Sequence, residues 1–171
     1  SVQVGIPTRS MGTSCIMEIN TQLGKYKLIE KLGKGGMAEV FKAFQTGVER
    51  YVAIKVMHAH LADSADFQAR FQREAKAIGR LQHPHIVRVI DFDSTGEHPY
   101  MVMEFVQGGS LRDYLQEGGG PLPEDEAIAL TKQLADTLRY AHRRSMVHRD
   151  IKPANVLFSS DQRRHAVLTD F

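Results

Sequence analysis

Between Tyr26 and Met57 apolar and polar residues alternate in three runs, YKLIEKLG, AEVFKAFQ and YVAIKVM, separated by GKGG and a Thr-Gly-Val turn. Period-two alternation broken by glycine-containing turns predicts three antiparallel strands. The period then lengthens. Residues 64–82, SADFQARFQREAKAIGRLQ, repeat at helical spacing, with Ser64 placed as an N-cap and His83-Pro84 as the stop. Two more strands, HIVRVIDFD and YMVMEFV, flank the polar turn STGEHP, and Gly108-Gly109 mark a boundary. Beyond it SLRDYLQEGGG predicts a short helix and PLPEDEAIALTKQLADTLRYAHRRS a long one. The long helix carries acids in its first turn and arginines in its last, the order the macrodipole favours. Ala127, Leu130, Leu134, Leu138 and Ala141 make its buried stripe. A charged loop, MVHRDIKPAN, then leads to a VLF strand, a polar turn and a final AVLTD strand. The pattern therefore predicts a five-strand, one-helix front half joined through residues 104–109 to a mainly helical rear half.

Composition narrows the class. With 171 residues, 42% hydrophobic and 25% charged, the chain falls in the ordinary range of one globular domain. The net charge of +2 is scattered, which argues against a nucleic-acid surface or a membrane-binding stripe. Cys15 is the single cysteine, so an internal disulfide and a Cys-based zinc site are excluded. No run approaches the length of a spanning helix, and the expectation is a reduced, cytoplasmic protein. Residues 1–24 show no sustained period and read as a poorly ordered lead-in. A start at Ser1 and a stop one residue after Asp170 suggest a piece of something larger.

Three features put charge where periodicity predicts burial. In YVAIKVM, Val52, Ile54 and Val56 share one face, while Ala53 and Lys55 share the other. A lone lysine there is more often solvated. Glu74 lies at the centre of the stripe formed by Phe67, Phe71, Ile78 and Leu81, and an ionised carboxylate on a core-facing stripe is costly unless paired. Lys55 is the expected partner. The third feature is the loop itself, where His148, Arg149, Asp150, Lys152 and Asn155 sit between apolar ends and Pro153 keeps Lys152 out of a helix. In it Asp150 can serve as a base, Lys152 as an anion clamp and Asn155 as an oxygen ligand for a hard cation, with Asp170 supplying the charged ligand. The turn GKGGMAEV lets backbone amides approach an anion, although an ordinary glycine hairpin has the same appearance. It is neither a Walker loop, lacking G-K-S/T before a helix, nor a dinucleotide fingerprint, since a strand follows it.

Taken in order, the Gly-rich turn, VAIK at 52–55, the helix Glu, HRDIKPAN at 148–155 and the terminal DF resemble the catalytic domain of eukaryotic-like Ser/Thr protein kinases, particularly the bacterial branch. The resemblance runs from Tyr26 to Phe171. It implies an α+β, protein-kinase-like fold with a lead-in at 1–24, a complete small lobe at 25–103, a hinge at 104–109 and the first part of the large lobe at 110–171. Leu32, Gly33, Lys34, Gly35, Gly36 and Val40 would cover the ATP phosphates, although Ala38 stands where the third glycine is usual. Lys55 would hold the α- and β-phosphates with Glu74 as its partner. Ala53, Val40 and Leu157 would enclose the adenine, beside Met103 as gatekeeper and Glu104 to Val106 as hinge. Asp150 would take the substrate hydroxyl's proton, Lys152 would neutralise the moving phosphoryl group, and Asn155 and Asp170 would hold Mg2+. Lys152 two residues after Asp150 matches the Ser/Thr type, and Arg149 the type regulated by activation-loop phosphorylation. Ile78, Val89, His148 and Phe171 match the regulatory spine.

The implied reaction is transfer of the ATP γ-phosphate to protein Ser/Thr hydroxyls. The glycine of DFG, the activation loop and the later helices are absent, so weak Mg·ATP binding and poor transfer are expected of this chain. The alternatives are an ATP-binding regulatory module without turnover and a small-molecule phosphotransferase of kinase-like fold. A small-lobe dimer is an analogy only.

Overall fold

Alternation along residues 22–57 is realised as a hydrogen-bonded ladder. The structure, a computed structural model, describes residues 17–62, 64–96, 98–117, 120–159 and 164–171. Strands β1 (Gln22–Leu23), β2 (Tyr26–Lys34), β3 (Ala38–Gln45), β4 (Arg50–Met57), β5 (Val89–Asp93) and β6 (Tyr100–Glu104) form one antiparallel sheet in the order β1-β2-β3-β4-β6-β5. The sheet has one strand more than expected, because two-residue β1 folds back on β2 through a turn at Gly24, φ 55°. Two residues are too few to leave a readable period. The β2–β3 register slips between Leu28 and Glu30 and again between Lys31 and Gly33, which loosens the ladder towards its glycine-rich end.

Period two decides which side chains are buried. Tyr26, Leu28, Phe41, Ala43, Val52, Ile54, Val56 and Val102 form a core on one side, each at most 2% exposed. Burying an aliphatic side chain of this size contributes roughly 1.5–3 kcal/mol, so this face anchors the sheet. The other side carries Ala53 and Lys55 and meets α2 (Ala65–Gly79). Ser64 occupies the cap position in an extended conformation, but its side chain makes no capping bond; instead its carbonyl accepts from Gln68 N at 3.0 Å. A short helix, α1 (Ala59–Ala62), precedes it.

In α2 the buried positions are Phe71 and Ala75, with Phe67 and Ile78 half-buried beside them. Small Ala75 faces the core cluster of Met57, Met101, Met103 and Val167, and Glu74 is turned to solvent. The core face is therefore rotated one residue away from the expected centre, which spares the carboxylate its desolvation penalty.

The rear half holds α3 (Leu111–Gln116), α4 (Glu124–His142), a 3-10 turn at Pro153–Asn155 and the hairpin β7 (Val156–Phe158) and β8 (Ala166–Leu168). A capping box starts α3: Ser110 Oγ accepts from Asp113 N at 3.1 Å, and Asp113 accepts from Ser110 N at 3.0 Å. Leu130, Leu134 and Leu138 of α4 pack on Val156, Phe158, Ala166 and Leu168. Two backbone clamps fasten this hairpin to the front half. Val87 N donates to Leu168 O at 3.0 Å and Leu168 N to His85 O at 2.9 Å, while Gly108 N donates to Phe158 O at 2.8 Å and Phe158 N to Gly109 O at 2.9 Å. The clamps bring the end of β8 beneath β4.

Candidate functional site

Lys55 sits on β4 opposite Val40 of β3 and Met101 of β6, on the face turned away from the Val52–Ile54–Val56 core. Its Nζ lies 2.9 Å from Asp170 Oδ1, a contact between residues 115 positions apart. Both line a cleft bounded also by Glu74, Ile78, Met103 and Phe171. The sequence predicts Glu74 as the partner of Lys55, and the structure corrects this. Glu74 borders the same cavity but is exposed and forms no ion pair among the described residues. Its ammonium partner is taken by Asp170, which β8 delivers from the other side.

Asp170 is positioned by its neighbours. His148, 4% exposed, donates its Nε2 proton to Thr169 O at 2.8 Å, and its ring stands 4.6 Å from that of Phe171. Thr169 N donates to Asn155 O at 3.0 Å. Thr169 is thus gripped at both backbone polar groups, a role nothing in its side chain signals. Arg149 and Asp170 take φ of 63° and 60°, a region costly for residues with a Cβ. Such strain persists where surrounding contacts over-determine it, and it concentrates at functional sites.

The loop acids and amides converge. Asn155 is 5% exposed and donates its Nδ2 protons to Asp150 O at 2.8 Å and Asp150 Oδ2 at 3.1 Å. Both partners are acceptors, so the amide orientation is fixed and Oδ1 is left as an oxygen ligand. Lys152 Nζ donates to Asp150 Oδ2 at 2.6 Å on an exposed surface. The Lys152 ammonium, aided by the Asn155 amide, holds the Asp150 carboxyl below its ordinary range against partial desolvation. Asp150 is therefore an anion at neutral pH, able to accept a proton.

Of the remaining expected nucleotide-site positions, Met103 lines the cavity and the others lie outside its lining. Val40 is half-buried opposite both Gly33 and Lys55. Leu32 is 45% exposed, and Lys34, Gly35 and Gly36 are exposed at the hairpin end, where Gly35 N donates to Ala38 O at 2.8 Å. Ala53 and Leu157 pack in one cluster with Met103 and Val106. Glu104 N donates to Arg88 O at 2.9 Å, so that amide is already committed. Of the four residues expected to form the spine, Ile78 and Phe171 share the cavity wall and the His148 ring lies tilted against Phe171, while Val89 packs with Met101 and Met103. Among the described residues no three His, Cys, Asp or Glu side chains group as a metal site, and no helix is long and apolar enough to cross a membrane.

A lysine on a curled antiparallel sheet, reaching an aspartate at the end of a second hairpin above a His-Arg-Asp loop, is the layout of a protein kinase catalytic domain. The sequence profile of the protein kinase domain matches residues 26–171. Serine/threonine-protein kinase pkn2 of Myxococcus xanthus is 43% identical over 149 residues, covering 86% of this chain and 18% of the relative. Serine/threonine-protein kinase PknD of Mycobacterium tuberculosis is 38% identical over 159 residues, covering 93% and 24%. The Mycobacterium tuberculosis PknI kinase domain superposes with TM-score 0.75 at 31% identity, over 91% of this chain and 63% of that one. Rad53 in complex with AMP-PNP superposes with TM-score 0.76 at 33% identity, over 86% and 38%. The chain belongs to the protein kinase domain family, and the two curated relatives are bacterial serine/threonine-protein kinases by name. It spans about a fifth to a quarter of the length of these two curated relatives.

Proposed function

We propose that this chain carries the nucleotide-binding and phosphoryl-transfer centre of an ATP-dependent Ser/Thr protein kinase, with a small lobe at 25–103, a hinge at 104–109 and part of a large lobe from 110. The observation that carries this reading is the 2.9 Å contact of Lys55 with Asp170 at a cavity also lined by Glu74 and Met103. Ala53 and Leu157, which pack against one cluster, would flank the adenine, with Val106 N rather than the committed Glu104 N as the hinge donor. The triphosphate lies under the Gly33–Gly36 turn, where Lys55 transfers one of its N–H donors from Asp170 to phosphate oxygens.

The donor set suits Mg2+: Asp170 keeps one carboxylate oxygen free of Lys55, and Asn155 keeps Oδ1, both hard oxygen ligands. When bound, the ion supplies charge neutralisation on the phosphates. Asp150 accepts the proton of the attacking Ser or Thr hydroxyl. Lys152 then has two oxyanions within reach, the Asp150 carboxylate it already holds and the phosphoryl group in transit.

Thermal unfolding with Mg·ATP tests the site. Ligand at about 100 times its Kd stabilises by about 2.7 kcal/mol, or roughly 5–10 °C for a chain of this size. The shift is expected to need Mg2+ and to vanish in Asp170→Ala. Label from radioactive ATP, at whatever rate, is expected on Ser or Thr and to be lost in Asp150→Asn while binding persists. No Mg2+-dependent shift with ATP overturns the reading.

A further inference from the structure

The hairpin between β2 and β3 is held at its tip by a residue outside it. The β3–β4 ladder ends at Ala38 opposite Met57, yet one further rung follows: His58 N donates to Met37 O at 3.0 Å. The His58 side chain then crosses the turn, with Nε2 3.0 Å from Gly35 O. A carbonyl can only accept, so Nε2 carries the proton in this bond. His58 is half-buried, and it follows Lys55 by three residues on the same segment. The tip of the glycine turn is thus tied to the strand that positions Lys55, through both the main chain and the side chain of one residue.

The tie has a directional consequence. A trans peptide is planar, with its C=O and N–H pointing opposite ways. Fixing Gly35 C=O on His58 therefore fixes the Gly36 N–H towards the other side of the turn. Little else restrains this plane. A Cβ at Gly36 would meet nothing within 4 Å, and Gly35 N is already used on Ala38 O at 2.8 Å. Two glycines in sequence otherwise let the peptide plane flip at low cost.

We propose that His58 is a positioning residue for phosphate binding: by holding Gly35 O it orients the Gly36 amide as a donor for the terminal phosphates of the nucleotide. The inference rests on the nucleotide reading above and adds a residue outside the glycine motif. It makes a specific demand on ligand chemistry, because an adenosine without phosphates does not use the Gly36 amide.

The test is calorimetric binding of a non-hydrolysable Mg·ATP analogue and of adenosine to the 171-residue chain, unaltered and as His58→Gln and His58→Phe. Gln keeps an N–H donor without the ring; Phe keeps a ring without the donor. The expected result is a roughly five- to tenfold loss for the analogue in His58→Phe, within the value of one hydrogen bond, with adenosine unchanged and His58→Gln within about twofold of the unaltered chain. Equal losses for both ligands, no loss in His58→Phe, or Gln behaving as Phe would each overturn the proposal. Amide NMR on the unaltered chain stands independent of variant folding: the Gly36 N–H resonance is expected to move with the analogue and not with adenosine, and a stationary resonance overturns the proposal. Absence of binding by the unaltered chain to either ligand overturns the nucleotide reading, and this inference with it. Binding of the analogue that is indifferent to His58 overturns this inference alone.

Discussion

Two arrangements of one cavity, Lys55 held by Asp170 or Lys55 held by Glu74, can be told apart by double-mutant cycles on the ligand-free chain. Lys55 with Asp170 stands at 2.9 Å, with side-chain exposures of 28% and 37%. At about 3 Å two unit charges attract by about 1.4 kcal/mol in bulk water and by about 5–6 kcal/mol at an effective dielectric constant near 20. Exposure near one third leaves water free to replace either partner, and exposed pairs measure about 0.2–1 kcal/mol. The expected coupling is therefore about 1 kcal/mol for Lys55/Asp170. For Lys55/Glu74 it is below about 0.3 kcal/mol, within the error of additivity for groups without a shared bond. The assay is urea unfolding of Lys55→Met, Asp170→Asn and the double variant, then of Lys55→Met, Glu74→Gln and their double, at constant m-value. At about 1 M NaCl the screening length falls to about 3 Å, so the first coupling is expected to drop by half or more, which a packing effect would not do. A Lys55/Glu74 coupling equal to or above that of Lys55/Asp170 refutes the arrangement described here.

Three further outcomes follow from named contacts. His148→Ala removes a buried ring that bonds Thr169 O and packs on Phe171, and is expected to cost about 2–4 kcal/mol in urea unfolding while releasing Asp170. Asp91 accepts from Lys25 Nζ, Tyr26 Oη and Phe92 N, and although burial pushes its carboxyl up, these bonds together bring it below the ordinary 3.8. A carboxyl depressed in the folded state adds stability above its unfolded pKa and loses it as pH falls through the folded value. Urea midpoints are therefore expected to decline below about pH 4, and Asp91→Asn to make that decline shallower. Gly109 holds φ of +71° beside the α3 capping box, so Gly109→Ala is expected to cost about 1–2 kcal/mol, read as a fall in melting temperature.

The sheet was legible because alternation and burial coincide: Val52, Ile54 and Val56 fall on one face in the sequence and in the core. The stripe on α4 was legible for the same reason, with Leu130, Leu134 and Leu138 on the β7–β8 hairpin. Apolar content misled at β5, expected from His85 but beginning at Val89. His85 and Ile86 instead serve the other hairpin, His85 O accepting from Leu168 N and Ile86 bridging to Leu168 in parallel. A run of β-branched residues announces extended backbone without saying which sheet it joins.

Helix phase is where the site escaped the sequence. On α2 successive residues are 100° apart, so Phe67, Phe71 and Ile78 permit a core face centred on either Glu74 or Ala75. Large apolar side chains favour the first in a pattern; the folded chain takes the second, because a small Ala75 fits against Met101 and Met103 and the carboxylate keeps its water. The residue that displaces Glu74 arrives through Thr169 and a positive-φ Asp170, and no pattern marks a non-glycine residue for that conformation. What the sequence does disclose is the charge of Lys55 on a narrow strand face and an anionic end to the last strand. Their partnership depends on backbone clamps at His85–Val87 and Gly108–Gly109, made of main-chain atoms that every sequence possesses. The charges that must be neutralised can thus be read from residue types, while the choice of which charge neutralises which belongs to the backbone.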